Sequence, residues 1–347
     1  YGDHRDLHYP LRRQRQMCIR DRYLMVQTNA QERFELWNKS DIAEIGGRVE
    51  QIPVTAPFQE TLRVFKRDGI VVLNDAVSLD VVTGIVDEFN SMMAMTDMEH
   101  HFRDKLDSKS GKSILGVLTK RRSEILARSP HLVGQLLTQP RLLELINSHL
   151  TTYATSVLIH QVLSVEINPG EVAQPLHRDN GLWPIPGRRI PLGVATMTPL
   201  ENFVAETGAT QAILGSHLWP DAEYIDPKDV EGRLSGGQGW KRYQTPNTDP
   251  EAVSVVEAPL GSIVVFDGDL LHGGGANTTE NVVRKSIIGG YCLGWLRGEV
   301  NQQLMWPPEV ARNFSPELQK LIGYSIEGGL LGGIQLGEDP ISLLQTS

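Results

Sequence analysis

His177 and Asp179 stand one residue apart in Pro175-Leu-His-Arg-Asp179. In an extended segment side chains alternate with period two, so this spacing turns an imidazole and a carboxylate to the same side of the backbone. The two can then meet a single metal ion. A third ligand has to come from elsewhere, and His272 is the best candidate: Gly273-Gly-Gly275 follows it and lets the backbone run close to such a site. Two His and one carboxylate on one face of an octahedron leave three positions open, the arrangement of non-haem Fe(II) oxygenases. A His-x-Asp pair standing alone is more often a hydrogen-bonded surface pair, so its company matters. Arg284 lies twelve positions after His272, and Ser286 two further on. On a strand these present a guanidinium and a hydroxyl on one face, suited to the distal end of a dicarboxylate. The plainer alternative is an exposed strand Arg in a salt bridge. His160 reads as a mid-strand core histidine, and Trp183 either as a wall of the substrate pocket or as packing.

Such residues need a scaffold of short strands. Segments 156–167, 190–198, 209–214, 252–257, 262–266 and 284–293 are rich in β-branched residues and bounded by Pro, Gly or Asn, which predicts strands. Ahead of them, Phe58, Leu62 and Phe65 share one helical face, and Gly69-Ile-Val-Val-Leu73 reads as a short buried strand. Ser78 stands in an N-cap position before an amphipathic helix carrying Val81, Val82, Ile85, Val86 and Phe89. Further helices are expected around 123–128 and 141–149. The pattern predicts a mostly β fold with flanking helices, a jelly roll with a helical layer outside it. Residues 97–113 read as an exposed loop, and the polar, Gly-rich connection 218–250 as a lid or binding loop. The Gly-rich stretch 328–337 lacks the Lys-Ser/Thr of a phosphate loop and reads as a flexible tail.

Composition sets the outer bounds. The chain has 347 residues, 40% apolar and 22% charged, which suits a globular enzyme with a sizeable core. A net charge of −9 argues against a nucleic-acid surface. No run of 18 apolar residues predicts a membrane span, and no apolar leader region appears, so the sequons at Asn38 and Asn277 carry no weight. Cys18 and Cys292 are too few for a disulfide framework or a Cys-based zinc site, which makes a reducing compartment, the cytoplasm, the default. The first 22 residues carry six Arg and no Ser or Thr, a poor fit to a transit peptide. Met17-Cys-Ile-Arg-Asp-Arg22 looks like translated adapter read-through, so residues 1–22 are expected to be non-native; a disordered basic arm is the competing reading.

Taken together, His177-x-Asp179, Ala209-Thr-Gln-Ala-Ile-Leu-Gly-Ser-His217, Leu271-His-Gly-Gly274 and Arg284-x-Ser286 resemble the phytanoyl-CoA dioxygenase family. So do Phe65-Lys-Arg-Asp-Gly-Ile-Val71 and Ser315-Pro-Glu-Leu-x-x-Leu-Ile-Gly-Tyr324. The likeness spans roughly residues 55 to 325, leaving 23–54 as an N-terminal extension and 326–347 as a tail. The resemblance implies a double-stranded β-helix (cupin-like) and an enzyme that uses Fe(II), 2-oxoglutarate and O₂. Metal ligands would be His177, Asp179 and His272, with Arg284 and Ser286 on the far carboxylate of 2-oxoglutarate. The likeness is greatest to the natural-product branch, in which a Gln three residues before the first ligand touches 2-oxoglutarate, hence Gln174. A Thr-Lys-Arg segment there supplies Arg121 (Arg122 if the register slips by one), and a strand Thr supplies Thr210. Thr207 is the fallback, because Glu206-Thr-Gly departs from the family's more usual Asn-Gly. His217 belongs to the signature but is expected to hydrogen-bond structurally. The implied reaction decarboxylates 2-oxoglutarate to succinate and CO₂ and oxidises an unactivated C–H bond of a small molecule, hydroxylation being the default; Asp179 speaks against halogenation. The resemblance also allows a homodimer. Two other classes compete: a zinc or manganese hydrolase or isomerase on the same barrel, and a metal-free binding protein.

Overall fold

A computed structural model of the protein describes residues 46–94, 116, 118–183, 185, 190–219, 252–335 and 337–345. The basic segment 1–22, the loop 97–113 and nearly all of the connection 218–250 therefore lie outside the described residues.

The strands are β1 (Gln51–Pro53), β2 (Ile70–Asn74), β3 (Thr119–Arg122), β4 (Val157–Ile167), β5 (Gly193–Pro199), β6 (Gln211–Ala212), β7 (Ser254–Val255), β8 (Ile263–Asp267), β9 (His272–Gly273) and β10 (Arg284–Leu293). Seven of them form a large sheet in the order β1-β2-β8-β5-β10-β4-β3, and a small sheet runs β7-β6-β9. Among the described strands only β1 and β2 pair in parallel, so the large sheet is mixed.

Side-chain alternation divides the large sheet between two cores. Val71, Leu73, Val194, Ile263, Val265 and Ile287 point outward and pack on helices α1 (Phe58–Asp68), α2 (Leu79–Ala94), α4 (Pro130–Leu137) and α5 (Pro140–Leu150), with α3 (Ile125–Arg128) between them. Ile70, Val72, Ala195, Met197, Val264 and Phe266 point inward and pack on Ala209, Ala212, Leu214 and Val256 from the neighbourhood of the small sheet. Each Val, Leu, Ile, Met or Phe among them stabilises by about 1.5–3 kcal/mol when fully buried. A one-residue slip of β2 would exchange the two sets, which is why the register holds. Gly69, left-handed at φ 74°, ends α1 and starts β2 within one residue.

Expected strands 156–167, 262–266 and 284–293 match β4, β8 and β10 closely, whereas 209–214 and 252–257 shrink to two paired residues each. Gly215, at φ 76°, turns the chain out of the ladder just beyond β6. The pattern did not announce β3, because Thr-Lys-Arg-Arg is wholly polar and becomes a strand only by pairing with β4. Just ahead of the Gly-rich stretch, Glu327 accepts hydrogen bonds from Thr155 N and Oγ1 and from Ser156 N and Oγ at 2.6–2.9 Å, and Gly328 N donates to Thr155 Oγ1 at 2.9 Å. Short helices α6 (Gln302–Met305), α7 (Pro308–Ala311), α8 (Pro316–Leu321) and α9 (Ser342–Gln345) complete the described chain. Among the described residues no helix is long and apolar enough to cross a membrane.

Candidate metal centre

His177 and His272, 95 positions apart in sequence, face each other across a two-residue backbone bridge. His177 N donates to His272 O at 2.8 Å, and His272 N to His177 O at 3.0 Å. Residues opposed in this way project to the same face, and the two rings lie with centroids 4.6 Å apart. Arg178 is extended (φ −119°, ψ 127°), which returns Asp179 to the face of His177 as its spacing predicts. Asp179 then opens a 3₁₀ turn anchored where Asn180 N donates to Gly268 O at 2.8 Å. The carboxylate Oδ1 stands 3.7 Å from Nε2 of each histidine, and one donor atom from each of the three residues lies within 4.8 Å of the others.

Protonation suits metal binding. Nδ1 of His177 donates to Pro175 O at 2.9 Å, and Nδ1 of His272 to Leu270 O at 3.1 Å. A carbonyl can only accept, so in a neutral ring held this way Nε2 is the nitrogen that carries the lone pair an ion needs. Burial, with His272 beside it, lowers the His177 pKa to about 4, so this imidazole is neutral at pH 7 as ligation requires. The glycines after His272 are used for close approach: a Cβ on Gly273 would stand 3.1 Å from the carbonyl oxygens of Gln174 and Pro175. Gln174 Oε1 accepts from Gly274 N at 2.7 Å and closes that contact.

The sheet register places the other expected residues. Thr119, Ile167 and Arg284 lie in one cross-strand row, and Arg121, Val165 and Ser286 in the next row on the same face. Arg284 is 2% exposed. Its Nη1 donates to Gly208 O, Nη2 to Met197 Sδ at 3.3 Å, and its guanidinium lies 4.4 Å from the Phe203 ring centre. Among the described residues no carboxylate pairs with it, and its Nε and the buried Ser286 Oγ have no hydrogen-bond partner. Burial lowers the Arg284 pKa to about 10. The exposed salt-bridged Arg of the plainer alternative is thus not what this strand carries. Thr210 Oγ1 approaches the same Met197 Sδ at 3.5 Å, whereas the Thr207 hydroxyl is engaged in a turn with Val204. Arg121 lies half-buried on this inner face and feels the charges of Glu299, Asp179 and Glu171. Arg122 points the other way, donating to Met92 O and lying 3.4 Å from Glu124.

Three neighbours complete the surroundings. His217 Nε2 donates to Lys66 O at 3.1 Å and its ring lies over Gly69, a place with no room for a Cβ. Trp183 is buried, donates from Nε1 to Arg297 O at 2.8 Å, and meets the His160 ring edge-on at 5.1 Å. His160 Nδ1 lies 3.9 Å from Glu299. Partial burial and the nearby Asp179 charge raise the Glu299 pKa. Sequence reasoning did not single out Glu299; no local pattern marks it, since its place follows from the packing of 297–300 on β4, where Val300 N donates to His160 O.

Two imidazoles and a carboxylate on a sheet, backed by a buried guanidinium with no counter-ion among the described residues, define a non-haem metal oxygenase type of site. The comparisons agree with that class. Residues 65–286 match the family model described as phytanoyl-CoA dioxygenase, and the chain belongs to that family. It is therefore an enzyme, a non-haem iron dioxygenase that depends on 2-oxoglutarate and O₂. The chain is similar to the dioxygenase swnH2 of Arthroderma benhamiae, 28% identical over 84% of this chain and 88% of that protein. It is also similar to the dioxygenase aneA of Aspergillus aculeatus, 27% identical over 75% and 80%. Among solved structures, the epimerase SnoN with Fe³⁺, α-ketoglutarate and nogalamycin RO shares the fold at TM-score 0.51 and 18% identity, covering 69% of this chain and 84% of SnoN. The carbocyclase SnoK of nogalamycin biosynthesis does so at TM-score 0.51 and 16% identity, over 74% and 92%.

Proposed function

We propose that His177, Asp179 and His272 hold the iron, that Arg284, Ser286, Thr210, Gln174 and Arg121 hold 2-oxoglutarate, and that the enzyme hydroxylates a C–H bond of a small natural product. The observation that carries this reading is Arg284. A buried cation with no acidic partner is costly, and this one shares a face with an unpartnered Ser286 hydroxyl and with Arg121. A dicarboxylic co-substrate supplies the missing charge: its far carboxylate to Arg284 and Ser286, its keto-acid end towards the metal ligands and Arg121. When bound, iron with 2-oxoglutarate supplies the activation of O₂ that side chains cannot perform. The chain's own work is to hold His177 neutral by burial, turn Nε2 of both histidines inward, orient the carboxylate of Asp179, and keep the cradle around Arg284 dry. The large sheet and the small β7-β6-β9 sheet enclosing that cradle are read as the two halves of a double-stranded β-helix, in a protein of a reducing compartment.

A zinc or manganese hydrolase would leave Arg284 and Ser286 without use. The test is succinate formation from 2-oxoglutarate with Fe(II) and ascorbate, in wild type and Asp179→Ala, alongside product mass from a panel of terpenoid and alkaloid substrates. Iron-dependent succinate that Asp179→Ala abolishes, with products heavier by one oxygen, supports the reading. Succinate at background level with every substrate sinks it.

A further inference from the structure

Ser216 touches neither the metal ligands' donor atoms nor the co-substrate cradle, yet it is fully buried and contacts both ligand-bearing segments. β6 pairs with β9 only through Gln211 and Ala212; one residue on, Ile213 N still donates to Leu271 O at 2.9 Å. The chain then turns away at Gly215, leaving the N–H of buried Leu271, the residue before His272, beyond the ladder. A buried N–H without an acceptor is rarely tolerated. Ser216 Oγ accepts from it at 2.8 Å. The carbonyl of Ser216 accepts from Arg178 Nη2 at 2.9 Å, and Arg178 stands between His177 and Asp179. One buried residue thus receives a hydrogen bond from each arm of the triad. Its own position is fixed from both sides: Ser216 N donates to Ile213 O within the turn, while Gly215 N donates to Asp68 O at 2.8 Å and His217 Nε2 to Lys66 O, both at the end of α1.

We propose that Ser216 is a positioning residue of the metal centre, holding segments 177–179 and 270–272 at the separation at which the three ligands converge. The proposal rests on the metal reading above. It also gives the Gly-Ser-His signature a division of labour: the glycine makes the turn, the serine spaces the ligand arms, and the histidine anchors both to α1.

The test is the affinity of the purified, metal-free protein for Mn(II), read from the signal of unbound Mn(II) in electron paramagnetic resonance. Three variants are compared with wild type. Ser216→Ala removes the hydroxyl; Arg178→Met removes the other arm while leaving Ser216 in place. Ser262→Ala is the matched control, because Ser262 is also fully buried and its Oγ makes one backbone hydrogen bond, to Pro259 O at 2.6 Å, at the start of β8. Ser216→Ala and Arg178→Met are expected to lose about tenfold in affinity, the lower end for groups that orient ligands. Ser262→Ala is expected to bind Mn(II) as wild type does, although its metal-free melting temperature falls as much as that of Ser216→Ala. Mn(II) binding by Ser216→Ala within twofold of wild type overturns the proposal, as does an equal loss in Ser262→Ala. Should Ser216→Ala fail to fold, Arg178→Met decides on the same criterion. Wild-type protein that itself fails to bind Mn(II) overturns the metal reading and this role with it.

Discussion

Replacing Arg284 by methionine separates two effects that usually travel together. In the protein without co-substrate the guanidinium is a buried charge, and burial lowers its pKa from 12.5 to about 10. At 1.36 kcal/mol per unit, that desolvation costs about 3 kcal/mol of folding stability. Methionine is unbranched and apolar, so Arg284→Met recovers that amount. Against it stand the contact with the Phe203 ring and the hydrogen bond to Gly208 O, together about 1–2 kcal/mol. Net stability should therefore rise by about 1–2 kcal/mol, read as a higher urea midpoint at unchanged slope. Binding of 2-oxoglutarate moves the other way. Losing one partner of a buried charge pair costs about 2–5 kcal/mol, and 3 kcal/mol raises Kd about 150-fold. Calorimetric titration of 2-oxoglutarate into Ni(II)-loaded protein measures this. Arg284→Lys keeps the charge but loses the two-pronged geometry, so its Kd should fall between wild type and Arg284→Met. If Arg284→Met binds 2-oxoglutarate within threefold of wild type, the guanidinium does not face the co-substrate and the reasoning fails.

Three further outcomes are expected. Thr210→Val should weaken 2-oxoglutarate binding about tenfold and leave Mn(II) affinity alone, whereas Thr207→Val should change only stability, because its hydroxyl is spent on the turn with Val204; the same calorimetry compares them. Burial holds His160 neutral with a pKa of about 4 instead of 6.5. The unfolded chain therefore takes up the proton first, and stability present above pH 6.5 is lost as pH falls towards 4, by about 2–3 kcal/mol at pH 4.5; urea melts of His160→Gln should show a shallower decline over that window. Burial alone would raise the Glu327 pKa, but hydrogen bonds from Ser156 and Thr155 outweigh it and lower the value below 4.5. Its stabilisation is present above pH 4.5 and lost on acidification, so Glu327→Ala should destabilise by about 2–3 kcal/mol at pH 7 and by less in acid, as measured by thermal melts at the two pH values.

What could be read from sequence was whatever depends on local spacing. The His177-x-Asp179 pair was legible because Arg178 adopts the extended geometry that period two assumes. β4, β8 and β10 were legible because buried strands are dense in Val and Ile. β3 was not, since its four residues carry no apolar signal and their strand character is conferred by β4. Which way Arg121 and Arg122 face also lay beyond composition: register turns Arg121 to the face of Ser286 and Arg122 towards Met92 and Glu124. Ser216, Glu299 and the Glu327 clamp each act over separations of 38 residues or more. No window along the chain reveals such contacts.

The backbone bridge between His177 and His272 also bears on how the protein acquires its metal in a cell. His177 and Asp179 are synthesised 95 and 93 residues ahead of His272, and on a nascent chain they are at best a two-donor chelate. In the folded chain 177 and 272 exchange their N–H and C=O groups, and this bridge sets the third proposed donor beside the other two. On the proposed ligand set, the ion therefore meets a folded pocket with its donors already spaced, and not a flexible peptide. An unfolded His-rich segment would follow intrinsic affinity and favour copper over iron. Deferring the last ligand until closure hands the decision to geometry and to whichever ion the compartment keeps available.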